Sequence, residues 1–137
     1  MSSSKIVIIL QKFTLNANER LKSSKLIEQL FKKGKSFSEF PLRVIYLQSE
    51  KNIHHLQAAF SVSSKNFKKA VERNRIKRLM KEAYRLQKLP LKNELERQQK
   101  FLSVFIIYTS NKLPEYKIIY EKMGVALSRL EKVISQA

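Results

Sequence analysis

Apolar positions recur along this chain with two different periods. Leu26, Ile27, Leu30 and Phe31 fall at i, i+1, i+4 and i+5, one stripe of a helix that opens near Asn18 to Leu21. Gly34 stops that helix, read as a residue able to take a positive φ. Pro41 fits neither a helix interior nor a central strand, so it marks the entry to the next element. Leu42 to Gln48 (LRVIYLQ) is β-branched and aromatic and reads as a strand, with a turn at Ser49 to Asn52. His55 to Ser63 alternates, placing Leu56, Ala58, Phe60 and Val62 on one face of a second strand. Phe101 to Thr109 (FLSVFIIYT) is nearly continuous in apolar residues, the pattern of a strand buried on both faces. Ala70 to Lys88 and Tyr116 to Ser135 return to helical spacing. Leu89 to Lys92 is read as the end of the former, and polar Asn93 to Lys100 as a lead into the last strand. One more short strand is expected around Lys35 to Phe40 or at the N-terminus. The order helix, strand, strand, helix, strand, helix predicts an α+β domain, a sheet with helices packed on it.

The helix over Ala70 to Lys88 changes the picture because its polar side carries almost one sign of charge. On a helical wheel Ile76, Leu79, Met80, Ala83 and Leu86 gather on one side and are expected to bury. Asn74, Lys77, Arg78, Lys81, Arg85 and Lys88 gather opposite, with Arg73 and Arg75 flanking the boundary and Glu82 toward an edge. Ordinary solvated faces mix signs, because i,i+4 Glu–Lys pairs stabilise and like charges repel. Here Lys77 faces Lys81, and Lys81 faces Arg85. The connector before the helix adds Lys65, Lys68 and Lys69, so Lys65 to Lys88 holds ten basic and two acidic residues. Backbone N–H groups at the helix start add a further phosphate site. The expected partner is a polyanion.

The whole composition points the same way. The 137 residues suit one domain, and 43% are hydrophobic, enough for a core. Lys and Arg number 28 against 11 acids, a formal net charge of +17, which favours nucleic acid ahead of an anionic membrane surface. There is no cysteine, which excludes disulfides and thiolate metal sites and fits a reducing compartment. There is no Asp, the acids are scattered, and the only histidines are His54 and His55. No metal site and no protein catalytic residue is therefore expected. No apolar run is long enough to span a bilayer, and Ile6 to Leu10 after MSSSK is too short for a signal peptide. Residues 1–12 read as an N-terminal extension, residues 13–137 as the domain, and the location as cytoplasmic. A DNA-binding helix–turn–helix is disfavoured because a strand precedes the basic helix. Membrane binding is disfavoured because the helix's apolar side is committed to a core. A structural or ribosomal-type RNA-binding protein remains an alternative.

Phe67, Ala70, Arg73-Asn74-Arg75, Ile76, Lys77-Arg78, Met80 and Lys81 stand in the register of the RNR motif, and here the chain resembles the bacterial ribonuclease P protein subunit family. Leu30-Phe-Lys-Lys-Gly34, Val44 to Tyr46, Phe60 to Ser63 and Val104 to Tyr108 extend the resemblance from about Phe13 to Leu130. It implies a two-layer α-β sandwich: about four strands in a mixed sheet, three helices, and a left-handed βαβ crossover through the basic helix. It implies a monomeric partner of a catalytic RNA, one per RNA, in removal of the 5′ leader from precursor tRNA, with Mg²⁺ held mainly by RNA and none by the protein alone. By position, Arg73, Asn74, Arg75, Lys77, Arg78, Lys81 and Arg85 belong to the RNA-facing helix, with Lys68 and Lys69 extending the basic patch. Ile27, Phe31, Tyr46 and Lys65 are expected in or beside a cleft for the single-stranded leader, with Phe37 and Phe40 as further aromatic candidates.

Overall fold

The computed structural model describes residues 24–49 and 54–136. The expectations for residues 1–12, for the helix opening at Asn18 to Leu21 and for most of the turn at 49–52 lie outside them.

The elements, in chain order, are α1 (Ser24–Lys33), β1 (Lys35–Glu39), β2 (Leu42–Ser49), β3 (Leu56–Val62), α2 (Ala70–Gln87), α3 (Leu89–Gln98), β4 (Phe101–Tyr108) and α4 (Tyr116–Gln136). The sheet order is β1-β2-β4-β3. β2 runs antiparallel to both β1 and β4, while β3 lies parallel to β4, so α2 and α3 form the crossover between parallel neighbours. The apolar run of β4 earns its central place by burying five consecutive residues, Leu102 to Ile106, between two layers.

Each sheet face has its own core. One face carries Leu42, Val44, Leu56, Ala58, Phe60, Val62, Val104 and Ile106 against α2, α3 and α4, which contribute Ile76, Met80, Tyr84, Leu91, Leu95, Met123 and Leu130. On the opposite face the pairings Ile45↔Phe105↔Ala59 run straight across three strands, and Leu30 of α1 closes over that row. No described helix is long and apolar enough to cross a membrane.

The described residues hold four helices rather than three, because Leu89–Gln98 is helical. Pro90 sits in the first turn of α3, where its missing N–H costs nothing, so the proline starts a helix instead of only ending one. In the second turn of α3, Glu94 bonds Arg97, Gln98 and, across to α4, Ser135 at 3.2 Å. Arg97 first, then Gln98, holds the Glu94 carboxyl at about 2.

Gly34 also differs, since no glycine among the described residues has a positive φ. Its requirement is space: a Cβ at Gly34 would stand 2.3 Å from the Leu30 carbonyl oxygen and 3.0 Å from that of Tyr46. Backbone cannot step aside as a flexible side chain can. Gly34→Ala is therefore expected to cost about 1–3 kcal/mol, as overpacking does, read by urea or thermal unfolding.

The roll of α2 differs from expectation as well. Leu86 is 52% exposed, while Tyr84 is fully buried with its ring edge-on to Phe60 at 5.4 Å. At its C-terminal end α2 meets α4 as well as the sheet. Gln87 donates to the Tyr120 carbonyl at 2.9 Å, over Gly124, which leaves it room. Turning Tyr84 and Gln87 inward turns Leu86 out.

Candidate RNA interface

The same roll redraws the charged face. Asn74 and Arg75 are exposed on the outer side, Arg78 is exposed about one turn further along, and Lys77 is half-buried at the flank. Lys81, expected on this face, is buried at 6% exposure, because the turn that carries Tyr84 inward carries its i−3 neighbour with it. Its long stem can cover apolar surface there, and it leaves the outer face. Glu82 lies one turn beyond Arg78 rather than at an edge. It is paired with Arg85 through the Nη2 contact and an Nε bond of 3.1 Å. Arg85 is thus engaged with a carboxylate, and hydrogen bonding to Glu82 outweighs burial in raising its pKa. The open cationic surface of α2 is its N-terminal half.

The connector continues that half. Lys65, Lys68 and Lys69 are all exposed, and α2 begins at Ala70 with no side-chain cap on its first amides. Phe67 anchors the segment: it is buried and its ring meets Tyr108 at 6.0 Å. Asn66 donates from Nδ2 to the Thr109 and Ser110 carbonyls at 3.2 and 3.4 Å. Arg73 ties the other side, both protons of Nη1 going to the Phe67 and Lys68 carbonyls at 2.8 Å each.

Arg73 therefore positions the lysines as well as standing among them. Arg73→Ala is expected to weaken RNA binding while leaving the slope of log affinity against log salt nearly intact, since that slope counts phosphate contacts. Amide exchange at Lys68 and Lys69 should quicken in the same variant. A loss of a full unit of slope with unchanged exchange would contradict this role.

The second surface lies between α1 and the sheet. Phe31 is 56% exposed and leans on Phe105 at 5.4 Å between ring centroids. Ile27, Leu47 and Ile107 are half-buried around the Leu30, Ile45, Ala59 and Phe105 row. Arg43, two residues before Ile45 on β2, is exposed. The structure brings Ile27 and Phe31 together here, but not Tyr46. Tyr46 lies on the other sheet face, where it meets Phe37 at 5.9 Å and packs against the main core. Strand period decides this: Tyr46 shares a face with Val44 and Leu42, whereas Ile45 and Leu47 face α1. Ile45, Leu47, Phe105 and Ile107 are the cleft residues the sequence reading missed, and the alternation of β2 is the signal that finds them. Lys65 stays in the connector at the sheet's end.

His55 is occupied structurally. It stacks on Phe101 at 4.5 Å and donates from Nδ1 to the Lys100 carbonyl at 2.8 Å. Among the described residues no three His, Cys, Asp or Glu side chains stand together as a metal site.

Comparison with known proteins gives the same family from independent directions. The ribonuclease P family model matches residues 15–131. The ribonuclease P protein component of Porphyromonas gingivalis is 38% identical over 119 residues, 86% of this chain and 87% of that one. That of Alkaliphilus metalliredigens is 33% identical over 121 residues, 88% of this chain and all of the relative. The fold is similar to the solved RNase P protein from Thermotoga maritima (TM-score 0.64, 22% identity, 81% of this chain and 96% of that chain). It is also similar to that of Staphylococcus aureus (TM-score 0.55, 22% identity, 84% and 94%). With the family match covering most of the chain, this protein belongs to the ribonuclease P protein family.

Proposed function

We propose that this protein serves as the RNA-binding subunit of ribonuclease P, in the cytoplasm, one copy per catalytic RNA. In this reading it assists endonucleolytic removal of the 5′ leader from precursor tRNA. The observation that carries the reading is the division of the surface. An exposed, predominantly cationic face runs over the connector and the first half of α2, with half-buried Glu72 its one acid, and a separate apolar surface between α1 and the sheet carries a half-exposed aromatic ring.

Each half suits one kind of RNA. Folded RNA gives side chains little to read in its A-form grooves, so it is held through phosphates and shape. Arg75 and Arg78 offer forked donors for phosphate, and Lys65, Lys68 and Lys69 offer point charges. A single-stranded leader favours a groove with a stacking surface, which Phe31 over Phe105 supplies, and a flanking cation, which Arg43 supplies. Binding both partners at once stabilises the RNA–substrate complex.

The chemistry in this reading belongs to the RNA. The chain has no Asp, and its described residues gather no carboxylate cluster, so they do not fit a two-metal nuclease centre. Mg²⁺ is accordingly assigned mainly to the RNA.

The leader assignment is tested with Phe31→Ala in the reconstituted holoenzyme. Affinity for leader-bearing precursor should fall about fivefold to a hundredfold, the worth of one stacked base, and affinity for leaderless tRNA should hold. An equal loss for both substrates would contradict it, once the variant's melting temperature has been checked.

A further inference from the structure

The tip of the β1–β2 hairpin holds an aromatic ring that the core does not use. Phe40 is 69% exposed and joins neither apolar cluster. Every other described phenylalanine meets another ring, and Phe40 meets none among the described residues.

The backbone around this free ring is anchored on both sides. On the preceding side, Glu39 pairs with Arg129 of α4, whose guanidinium also lies over the Phe37 ring at 4.1 Å. On the following side, Pro41 is buried, and its carbonyl accepts from Thr109 twice, from N at 2.8 Å and from Oγ1 at 3.0 Å. Thr109 then passes the connection on: its own carbonyl accepts from Asn66 of the connector. Hairpin tip, end of β4 and connector are thus tied together at one end of the sheet.

Exposed cations cluster at that end. Lys65 precedes Asn66. Lys112 is held there by its amide bond to the Ser110 hydroxyl at 3.1 Å and by Tyr108, which donates to its carbonyl at 2.6 Å. Arg43 stands opposite Ser38 in the β1–β2 register. All three are exposed, and the acid of the tip, Glu39, is already paired.

An exposed planar ring on a fixed backbone, flanked by cations and with the tip's own acid already paired, has the chemistry of a stacking platform for an unpaired base. We propose that Phe40 is a base-stacking subsite for single-stranded RNA, with Lys65, Lys112 and Arg43 meeting the phosphates on either side of the stacked nucleotide. It lies beyond Phe31 and α2, at the end of the sheet where the connector meets β4. The inference rests on the RNA-binding reading above. The stacked nucleotide can come from the precursor's leader or from an unpaired segment of the catalytic RNA.

Phe40→Trp provides the probe, because the chain has no other tryptophan. The variant is reconstituted with ribonuclease P RNA and titrated with leader-bearing and leaderless tRNA. Quenching on addition of the catalytic RNA alone supports the subsite and assigns the base to that RNA. Quenching only with leader-bearing precursor supports it and assigns the base to the leader. Phe40→Ala and Phe40→Leu should both weaken the corresponding complex about fivefold to a hundredfold, with Phe40→Tyr close to the unsubstituted protein. Emission unchanged by either RNA, with Phe40→Ala binding within about twofold of the unsubstituted protein, overturns the subsite. Cleavage by the unsubstituted holoenzyme in the same preparation keeps that failure separate from failure of the ribonuclease P reading.

Discussion

Replacing Arg75 and Arg78 together with alanine is expected to weaken binding to the catalytic RNA about sixtyfold at 0.1 M salt. It should also lower the slope of log affinity against log salt by about two. The figure follows from counterion release: each phosphate contact contributes about 0.9 to the slope, which at 0.1 M is about eightfold in affinity. Both guanidinium groups stand on the exposed N-terminal half of α2, away from the Glu82–Arg85 pair. Lys81→Ala makes the sharper contrast. The motif reading places Lys81 on the RNA face, the structure buries it, and its loss should leave the slope unchanged. Filter binding or fluorescence titration at four or more salt concentrations measures both. A slope unchanged in the double variant, or lowered by a unit in Lys81→Ala, would contradict this placement of the interface.

Tyr84→Ala is expected to be the most damaging single change to stability. Truncating a fully buried aromatic side chain costs about 3–5 kcal/mol. An ordinary domain has only about 5–15 kcal/mol in total. Tyr84 has no exposed surface, fills the space between α2 and β3, and meets Phe60 edge-on. Leu86→Ala, two positions along the same helix, should change stability by no more than about 0.5 kcal/mol, because that side chain is half exposed. Urea unfolding at fixed salt measures the pair, salt being held constant because anions relieve the self-repulsion of a +17 chain. Comparable losses at the two positions would show that α2 is not rolled as described.

That pair also shows what the sequence could and could not convey. Strong periodicity was legible: β4 is buried because its apolar run is continuous, and β3 faces the core through Leu56, Ala58, Phe60 and Val62 as its alternation requires. The motif register located α2 and its partner class. The roll of α2 was not legible, because an amphipathic wheel fixes a helix face only to within about one side chain. The bulk of Tyr84 and the fit of Gln87 over Gly124 then decided between neighbouring solutions. Tyr46 was misplaced for a related reason. With a period of two, misplacing the functional position on β2 by one residue exchanges Ile45 for Tyr46 and one sheet face for the other. Pro90 was legible as a breakpoint but not as a beginning, since proline is compatible with both. Gly34 was located correctly for the wrong cause: crowding by the Leu30 and Tyr46 carbonyls excludes a side chain, and φ stays negative. Arg73 looked like one more phosphate ligand. Only in the folded chain does its guanidinium hold two carbonyls of its own connector.

In the function proposed above, this protein enables an RNA to cut precursor tRNA and does not cut it itself. The direct measurement is single-turnover cleavage of precursor tRNA at low Mg²⁺ by the ribonuclease P RNA alone, by the protein alone, and by the two together. The expected result is little cleavage by the RNA alone, none by the protein alone, and efficient release of the 5′ leader by the pair. Cleavage at the mature 5′ end by the protein without RNA, or a rate for the pair no faster than for the RNA alone, would contradict it.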